Sequence, residues 1–383
     1  MKKIMVWETS ASVAGGQKVT LTVMELLKNE YSFCCLIPQE GALSEALKKL
    51  DIPYILMGDQ TLPSGVKGKQ VYFRYAWMSL KSIVKSLSAI RKFRPDILYA
   101  PGPASLPWSA ICGTLSHRPV VWHLHHIFLD GATVKLLNLL SRCKAVRQIV
   151  SVSEFVGKQV THPKGREKLR VLYNPVDFEH YAQADALQVK DEVEQAFGTK
   201  ENRDVLLTQV ALIRKGKYQE TTVSIMEALK RKGIRAKCML VGDAITEEDR
   251  VFKEELLNRI RESGLQQDIY LAGHRNNVQD YMAASDFVLV PSAVEGMSLV
   301  ALEAMAVGKD VITADGGGVA ELFRVANCGT MYPQDASADE IADIIIEAMK
   351  TDPTPRVERA MAYCYSLRHK AYREKMLKLF CEQ

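Results

Sequence analysis

Residues 286–315, DFVLVPSAVEGMSLVALEAMAVGKDVITAD, read as a strand, a loop, a helix and a second strand in direct succession. The two outer runs are short and apolar, as is typical of buried strands. The helix between them is predicted to begin at an N-cap, Ser298, and to end at Gly308. An apolar stripe at helical spacing lies between those two residues, namely Leu299, Leu302, Met305 and Ala306. A strand–helix–strand unit of this kind builds parallel sheets.

The same stretch carries two carboxylates, Glu295 in the loop and Glu303 inside the helix. Free N–H groups at a helix N-terminus attract phosphate. Glu303 lies roughly 7 Å along the axis from that N-terminus, at about 1.5 Å per residue. With a diphosphate bound there, Glu303 is placed to accept hydrogen bonds from a ribose, and Glu295 to meet a sugar. The alternative is a surface glutamate plus one that favours the helix dipole.

Strands and helices alternate in this way twice along the chain. Apolar strand-like runs occur at 2–8, 32–38, 96–100, 119–125, 148–153 and 169–174, then at 204–212, 236–243, 268–273, 286–292 and 310–315. Helical patterns separate them, among others at 16–29, 43–50, 77–93, 222–233, 248–264, 278–285 and 299–308. This alternation predicts an α/β protein of two Rossmann-like domains, whose parallel sheets face each other across a cleft.

We place the two domains at residues 1–178 and 179–355, with the boundary in the polar stretch 179–203. Closing helices are predicted at about 336–350 and 355–382. The end of the last one, about 360–383, is expected to pack back on the first domain. A chain of 383 residues is long enough for two such cores.

Composition is that of a soluble globular protein, with 47% hydrophobic and 25% charged residues. The first residues, MKKIMVWE, turn polar too soon for the apolar region of a signal peptide and fit a first strand better. The sequence contains no run of eighteen apolar residues, so no membrane-spanning helix is predicted. The eight cysteines contain no CxxC pair, so we expect reduced thiols and a cytoplasmic location.

Charge is distributed unevenly along the chain. Residues 1–178 contain 24 Lys and Arg against 12 Asp and Glu, a net +12, whereas the remainder contains 26 against 33, a net −7. Much of the positive excess lies in Lys67, Lys69, Arg74, Lys81, Lys85, Arg91, Lys92 and Arg94. A cationic helix face over 77–93 can lie on the inner face of an anionic membrane, hold an anionic acceptor, or simply be solvated. Nucleic acid is disfavoured, because recognisable binding motifs are absent.

Two features of the first half fall at strand ends. Gly15 and Gly16 follow the first strand at the start of a helix, where glycine lets the backbone approach a ligand closely. His125 ends the run VVWHLH, and a histidine at the carboxyl end of a parallel strand can touch a substrate hydroxyl. A core histidine bonded to backbone is the alternative. His123 lies deeper in the strand and is predicted to be structural.

The second half contributes a cationic turn after its first strand, Arg214-Lys215-Gly216-Lys217. Cations at the carboxyl end of a strand suit a departing diphosphate, although an exposed basic turn is an equal alternative. No Asp-x-Asp pair occurs in the chain, so a carboxylate-held metal ion is not predicted. The segment Asp315–Glu321 holds a G-x-G fragment but arrives too late to be a dinucleotide fingerprint. We interpret it as a glycine loop bordering the cleft.

Together these pieces resemble the retaining glycosyltransferases of family four, which have the GT-B architecture. The resemblance spans nearly the whole chain in order, through Gly15-Gly16-Gln17, His125, Ser151–Glu154, Asn174–Asp177, the RKGK cluster, Val241–Asp243, Gly273, Ala284–Asp286, Val290–Ser292, Glu295-x7-Glu303 and the Gly-Gly-x-x-Glu ending at Glu321. It implies transfer of a sugar from a nucleotide-sugar to a glycan or lipid-linked acceptor, with retained anomeric configuration. No cofactor or metal ion is implied. UDP is the commonest donor nucleotide of the family and is our prediction on that ground alone.

The resemblance also implies roles for residues at matching positions. Glu295 would hold hydroxyls of the donor sugar and Glu303 those of the ribose. Backbone amides of Met297, Ser298 and Leu299 would hold sugar and phosphate oxygens. The leaving phosphate itself would take the acceptor proton in a front-face displacement, which needs an anion clamp and no enzyme nucleophile.

The remaining implied roles concern the diphosphate, the base and the sugar. Gly16, beside Gly15, would make room for the diphosphate, and His125 would lie near the primary hydroxyl of the sugar. The chain from Gly273 to Arg275 would meet the base. Arg214 with Lys215 or Lys217 would neutralise the diphosphate.

The chain departs from the family at this cationic turn. Val210-Ala211 stands where the family usually has Gly-Arg, so Arg214 is the candidate substitute, and either lysine can align. The missing arginine motivates one alternative, a catalytically silent nucleotide-sugar-binding subunit. A nucleotide-sugar epimerase or a phosphorylase of similar architecture is another, although nothing marks the pyridoxal lysine of a phosphorylase.

Overall fold

The computed structural model describes residues 1–58, 69–292 and 294–382, without the side chains of residues 69–74. The chain forms two compact units. One comprises Met1–Pro175 with the C-terminal segment from His369, and the other comprises Val176–Arg368. The division between Pro175 and Val176 lies close to the boundary predicted at residue 178.

The first unit contains a seven-stranded parallel sheet in the order β3-β2-β1-β4-β5-β6-β7. Its strands are β1 Lys2–Trp7, β2 Tyr31–Ile37, β3 Tyr54–Leu56, β4 Ile97–Ala100, β5 Val120–Leu124, β6 Val146–Ser151 and β7 Leu169–Val171. Its helices are α1 Gly15–Leu27, α2 Ala42–Lys49, α3 Lys69–Phe93, α4 Ser105–Ser116, α5 Gly131–Leu140, α6 Glu154–Gly157 and α7 Pro163–Arg166.

Helices cover both faces of this sheet, which explains why its strands are apolar throughout. Alternate residues of β1 point to opposite faces. Ile4 and Val6 belong to a core that contains Val23 of α1. Trp7 points to the other face, where its indole N–H donates to Ser86 Oγ of α3 at 3.0 Å.

The second unit repeats the design with six parallel strands in the order β10-β9-β8-β11-β12-β13. The strands are β8 Val205–Val210, β9 Ala236–Val241, β10 Ile269–Gly273, β11 Phe287–Val290, β12 Asp310–Ala314 and β13 Thr330–Tyr332. The helices are α8 Phe178–Tyr181, α9 Lys190–Phe197, α10 Gln219–Arg231, α11 Glu247–Glu262, α12 Val278–Ala284, α13 Leu299–Val307, α14 Gly317–Ala326, α15 Ala338–Lys350 and α16 Thr354–Ser366. Two parallel α/β sheets confirm the predicted fold class.

The polar stretch 179–203 is part of the second unit. It carries α9, whose Val193 and Phe197 are buried in a cluster with Leu206 and Met239. Its polar residues therefore lie on the outer face of an amphipathic helix.

The C-terminal prediction of one helix over 355–382 is wrong. The helix ends at Ser366, and a new helix, α17, runs from His369 to Cys381. At the break, the backbone N–H of Val176 donates to the carbonyl of Leu367 at 3.2 Å. The Leu367 carbonyl therefore accepts a hydrogen bond from another part of the chain instead of from the next turn of a helix. The second helix packs in the core of the first unit through Tyr372, Met376 and Phe380.

Two strands, β3 and β13, were not predicted. Each has three residues and lies at a sheet edge, where a run is too short to show a period. Within the described ranges, no helix is both long and apolar enough to cross a bilayer.

The order of the second sheet brings two loops together. Strand order reverses between β8 and β11, which pair directly, with Phe287 opposite Leu207. The loops that follow β8 and β11 leave the carboxyl ends of these two strands toward opposite faces of the sheet. The crevice between the two loops is the usual ligand position in such sheets. The loop of Arg214–Lys217 follows β8, and the loop of Glu295 follows β11.

Candidate active site

Glu295 and Lys217 meet at the switch point of the second sheet. Lys217 Nζ lies 2.6 Å from Glu295 Oε1, although 78 residues separate the two. The side chains are 37% and 18% exposed, respectively, so the pair is reachable from solvent but partly desolvated. A cation held against a carboxylate at this position can contact phosphate on one side while the carboxylate meets hydroxyls on the other.

Helix α13 begins beside this pair, as predicted. Ser298 is its N-cap and accepts a hydrogen bond from the Ala301 N–H, and Gly308 ends it at φ +83°. The predicted apolar stripe understates the burial, because all residues from 301 to 306 are buried. Glu303 is only 8% exposed, and a glutamate is rarely buried to this extent unless it is paired.

Glu303 has a neighbour that the sequence did not indicate. Burial raises the pKa of Tyr181, and the Glu303 carboxylate, a hydrogen-bond partner of the Tyr181 hydroxyl, raises it further. Tyr181 ends the four-residue helix α8.

The glycine segment at 316–318 supports the backbone of Glu295. The Gly318 N–H donates to the Glu295 carbonyl at 2.8 Å. Gly317 has φ +66°, and a Cβ there would lie 2.6 Å from that same carbonyl oxygen. Only glycine fits this close approach. The G-x-G fragment therefore serves to position Glu295, which the sequence could not reveal.

We expect Gly317→Ala to lower the transfer rate about tenfold or more, because a shift of about 1 Å at a reacting group costs that much. Gly233→Ala is the matched control, since Gly233 has φ +78° and open space around it. Steady-state rates and thermal melting of both variants separate the site effect from the shared backbone strain. Equal rate losses in the two variants would contradict the positioning role.

The three cations of the turn Arg214–Lys217 differ in exposure and in their partners. Lys217 faces Glu295, whereas Lys215 is exposed. Arg214 is 47% exposed, with its Nε 3.9 Å from Asp249 Oδ1 at the start of α11. Of the two lysines that the sequence left open, Lys217 is the one at the switch point.

Arg275, predicted beside the base, has its guanidinium engaged elsewhere. Its Nη2 lies 2.7 Å from Glu192 Oε1, and its Nε donates to Tyr281 Oη at 2.6 Å. The hydrogen bonds that Arg275 donates to Glu192 and Tyr281 raise the pKa of its guanidinium. Gly273, at φ +74°, precedes it with nothing within 4 Å of a Cβ position. The space at the Gly273 Cβ position lets a ligand approach the backbone there, whereas the Arg275 guanidinium is already paired.

The first unit holds the other predicted residues, at the carboxyl ends of β1 and β5. His125 follows β5, is buried, and its Nε2 has no hydrogen-bond partner among the described residues. Burial, with His123 and His126 nearby, lowers the pKa of His125 well below its ordinary value, so the ring is neutral at pH 7. Gly16 lies against it, since a Cβ on Gly16 would be 3.9 Å from His125 Cβ.

His123 is the structural histidine that the strand position predicts. Its Nδ1 lies 2.5 Å from Tyr99 Oη, and its ring centroid is 4.1 Å from that of His125. Burial lowers the pKa of His123 to about 3. A neutral, fixed ring beside His125 holds the latter in place.

A buried carboxylate that the sequence analysis did not single out, Glu8, supports the Gly15–Gly16 turn. It accepts hydrogen bonds from Thr20 Oγ1 at 2.6 Å and from Gln17 Nε2 at 2.9 Å. Gln17 in turn accepts from the Ala14 N–H at 3.3 Å. An acidic residue ending a buried strand just before paired glycines was the available signal.

Glu8 gives a pH-dependent prediction. Burial raises its pKa above the ordinary value near 4.5. At a pH between the pKa of Glu8 in the unfolded chain and its higher pKa in the folded protein, the folded protein keeps a proton that the unfolded chain has lost. This group therefore makes the stability of the fold decrease as pH rises. We expect Glu8→Gln to gain stability relative to the wild type as pH increases from about 4.5 to neutral. Melting temperatures of both proteins across that range measure this, and a constant difference would contradict it.

Two family models match the chain, one in each half. The family model described as Glycosyltransferase Family 4 matches residues 39–180, and that described as Glycosyl transferases group 1 matches residues 189–363. The lipopolysaccharide glucosyltransferase WaaG of Escherichia coli K12 is 25% identical over 73% of this chain and 68% of its own. A UDP-Gal:α-D-GlcNAc-diphosphoundecaprenol α-1,3-galactosyltransferase of Escherichia coli is 23% identical over 79% and 76%.

A solved structure gives the fold. The Anabaena protein HepE, in complex with UDP-glucose, superimposes with a TM-score of 0.82 over 100% of both chains at 20% identity. At that identity the likeness concerns the fold, and it covers both units of the chain.

Proposed function

Because the chain belongs to the family-four glycosyltransferases and has the GT-B fold, we propose that it moves a hexose from a UDP-sugar to a glycan or lipid-linked acceptor with retention of configuration. Transfer of a sugar in glycoconjugate biosynthesis is the activity of the relatives. The observation that carries the finer proposal is the pair of Lys217 and Glu295, 2.6 Å apart beside the start of α13.

The chemistry assigned to this pair breaks the bond from the anomeric carbon to the diphosphate oxygen. The acceptor hydroxyl oxygen forms the new bond on the same face, and its proton passes to the departing phosphate. Lys217, Arg214 and the N–H groups at the start of α13 neutralise the negative charge that develops. Glu295 holds hydroxyls of the sugar while the positive character of the anomeric carbon rises.

Three backbone groups and one carboxylate complete the donor site in this proposal. Amides of Met297, Ser298 and Leu299 contact sugar and phosphate oxygens, because the first N–H groups of α13 have no carbonyl partner within the helix. Glu303, oriented by Tyr181, accepts from the ribose hydroxyls. The base lies along Gly273, while Arg275 serves the structure through Glu192.

The first unit supplies the acceptor side and His125. A neutral imidazole can donate one hydrogen bond and accept another, so it suits the primary hydroxyl of the sugar. Gly16 leaves room for the diphosphate next to it, and Gly15 opens α1. These roles follow the family resemblance, and they are supported by the buried Nε2 of His125, which has no hydrogen-bond partner in the part of the chain that the structure describes.

UDP is proposed as the donor nucleotide, supported by the HepE complexes with UDP and UDP-glucose. No metal ion is proposed, because the sequence contains no Asp-x-Asp pair and fixed cations already stand where the leaving group develops charge. Transfer is therefore expected to persist in EDTA.

A panel of UDP-, GDP- and ADP-sugars, each with and without EDTA, tests this proposal. We expect slow release of UDP from one UDP-sugar in water, unchanged by EDTA. Release of another nucleotide would reassign the donor, and loss of release in EDTA would contradict metal independence.

The second candidate is a catalytically silent nucleotide-sugar-binding subunit. Val210-Ala211 replaces the usual arginine, and Arg214, the candidate substitute, lies near Asp249. Tight donor binding in calorimetry without release of nucleotide under any acceptor mixture would favour this reading. An epimerase would instead return a donor of altered configuration, visible by NMR.

A further inference from the structure

One surface of the first unit exposes large apolar side chains on two neighbouring helices. On α3 these are Trp77, Leu80 and Val84, which are 59%, 56% and 61% exposed. On α4 they are Ile111 and Leu115, at 38% and 60%. We call these five residues the α3–α4 ridge. Single exposed apolar residues are ordinary, but five on one helix pair mark an interaction surface.

The two helices place four of these residues side by side, and Trp77 lies about one turn before Leu80 on α3. Trp108 Nε1 donates to Ser79 Oγ at 2.7 Å, and one turn further along Cys112 Sγ lies 3.9 Å from the Ile83 carbonyl. These two contacts fix the register of α3 against α4. Leu80 and Val84 each follow a contact residue of α3 by one position. Ile111 and Leu115 each lie three positions after a contact residue of α4, Trp108 and Cys112 respectively. The four apolar residues therefore lie on the same, outer side of the line of contact between the two helices.

The surroundings of the ridge are cationic. The sequences of α3 and α4 contain six Lys and Arg and no Asp or Glu. Exposed cations on α3 in the described part are Lys81, Lys85, Arg91 and Lys92. Lys81 Nζ lies 5.2 Å from the centre of the Trp77 ring. Lys67 and the side chains of Lys69 and Arg74, which the sequence analysis placed in the same cluster, lie outside the described residues.

We propose that the α3–α4 ridge docks this protein on an anionic phospholipid bilayer. Apolar side chains enter the boundary between headgroups and acyl chains, tryptophan favours that depth, and the lysines and arginines reach the phosphates. A second copy of the chain fits the same surface poorly. A two-fold interface would place each cationic helix against its own image, with no acidic residue on either helix to neutralise it.

The inference goes beyond the proposed transfer reaction and does not depend on it, since binding is measured without any donor. Flotation with vesicles of equal phosphatidylglycerol and phosphatidylcholine, against phosphatidylcholine alone, is the first experiment. We expect binding to the mixed vesicles at about 0.1 M salt and at least tenfold weaker binding at about 1 M, where the Debye length falls to about 3 Å. Equal binding to both vesicle types, or none to either, would overturn the proposal.

Variants separate the apolar and the charged contributions. Trp77→Gln with Leu80→Gln and Val84→Gln is expected to weaken vesicle binding at least tenfold. Lys81→Glu with Lys92→Glu is expected to weaken it at least tenfold as well, at about fivefold per cation, and to reduce the preference for anionic lipid.

Matched controls carry equal changes elsewhere. Leu187→Gln with Val251→Gln and Val325→Gln alters three residues that are 72%, 54% and 56% exposed on the second unit. Lys370→Glu with Lys375→Glu alters exposed cations of α17. Both controls should bind vesicles as the wild type does, and thermal melting verifies that every variant is folded. If the ridge variants bind vesicles normally but lose a dimer in sedimentation velocity, the occupant is a second copy and the proposal fails.

Discussion

Glu295→Ala lowers sugar transfer by about 10²- to 10³-fold, the cost of removing one group that acts in the transition state, while UDP still binds. The carboxylate contacts the transferred sugar in our account, so its loss affects turnover. In the proposed site, Glu303 and the start of α13 hold the nucleotide, and this change leaves both in place. Removal of the negative charge also leaves Lys217 free for the diphosphate, so UDP binding is expected to stay equal or to tighten.

Steady-state kinetics with calorimetric titration of UDP measures both parts of this prediction. Glu295→Gln is the closer variant, because it keeps the size of the side chain and removes only the charge. Glu248→Ala, an exposed glutamate of α11 in the same unit, is the control. Full activity in Glu295→Ala would show that this loop does not hold the transferred sugar.

Lys217→Ala is expected to lower turnover by a similar 10²- to 10³-fold and, unlike Glu295→Ala, to weaken UDP binding. In the proposed site, the Lys217 cation lies where the departing diphosphate gains charge, and UDP itself carries that charge. Lys217→Arg should restore part of the affinity, because it keeps the charge with a different geometry.

The comparison with Lys215→Ala decides which lysine acts. Lys215 is exposed on the same turn, so we expect a smaller effect on both turnover and UDP affinity. A larger loss in Lys215→Ala than in Lys217→Ala would contradict the assignment. Stability is not expected to explain either result, because a partly exposed ion pair such as that of Lys217 with Glu295 contributes about 1 kcal/mol or less.

Local patterns predicted the elements of this protein well. The eleven apolar runs all contain strands, because buried parallel strands are apolar on both faces. The limits of α13 at Ser298 and Gly308 were readable from capping chemistry. The three-residue edge strands β3 and β13 were missed, and so was the break at Leu367, whose carbonyl accepts from the N–H of the distant Val176.

The site was only partly predictable, for a physical reason. Glu295, Glu303 and the cationic turn were readable as chemistry, but the selection of Lys217 over Lys215 depends on the pairing of β8 with β11. Gly317 could be identified as a support of Glu295 only once its carbonyl contact was known. Arg275 was predicted near the base, and no local pattern indicated that Glu192, 83 residues away, holds it.

The cationic helix illustrates the same division. Its positive charge and helical spacing were predictable from the sequence, which left a membrane, an anionic acceptor and a solvated face as alternatives. The exposure of Trp77, Leu80 and Val84, next to Ile111 and Leu115, depends on how α3 and α4 pack. That apolar ridge favours the membrane, because a merely solvated face needs no exposed tryptophan.

The proposed reaction is retaining transfer from a nucleotide-sugar donor bound at the Lys217–Glu295 pair. Real-time proton NMR of donor hydrolysis tests it most directly, since the first sugar released shows its anomeric configuration before it equilibrates in water. With the active UDP-α-sugar of the panel, the account predicts the α-anomer first in the wild type and none from Glu295→Ala. Initial release of the β-anomer, or equal release from Glu295→Ala, would contradict it.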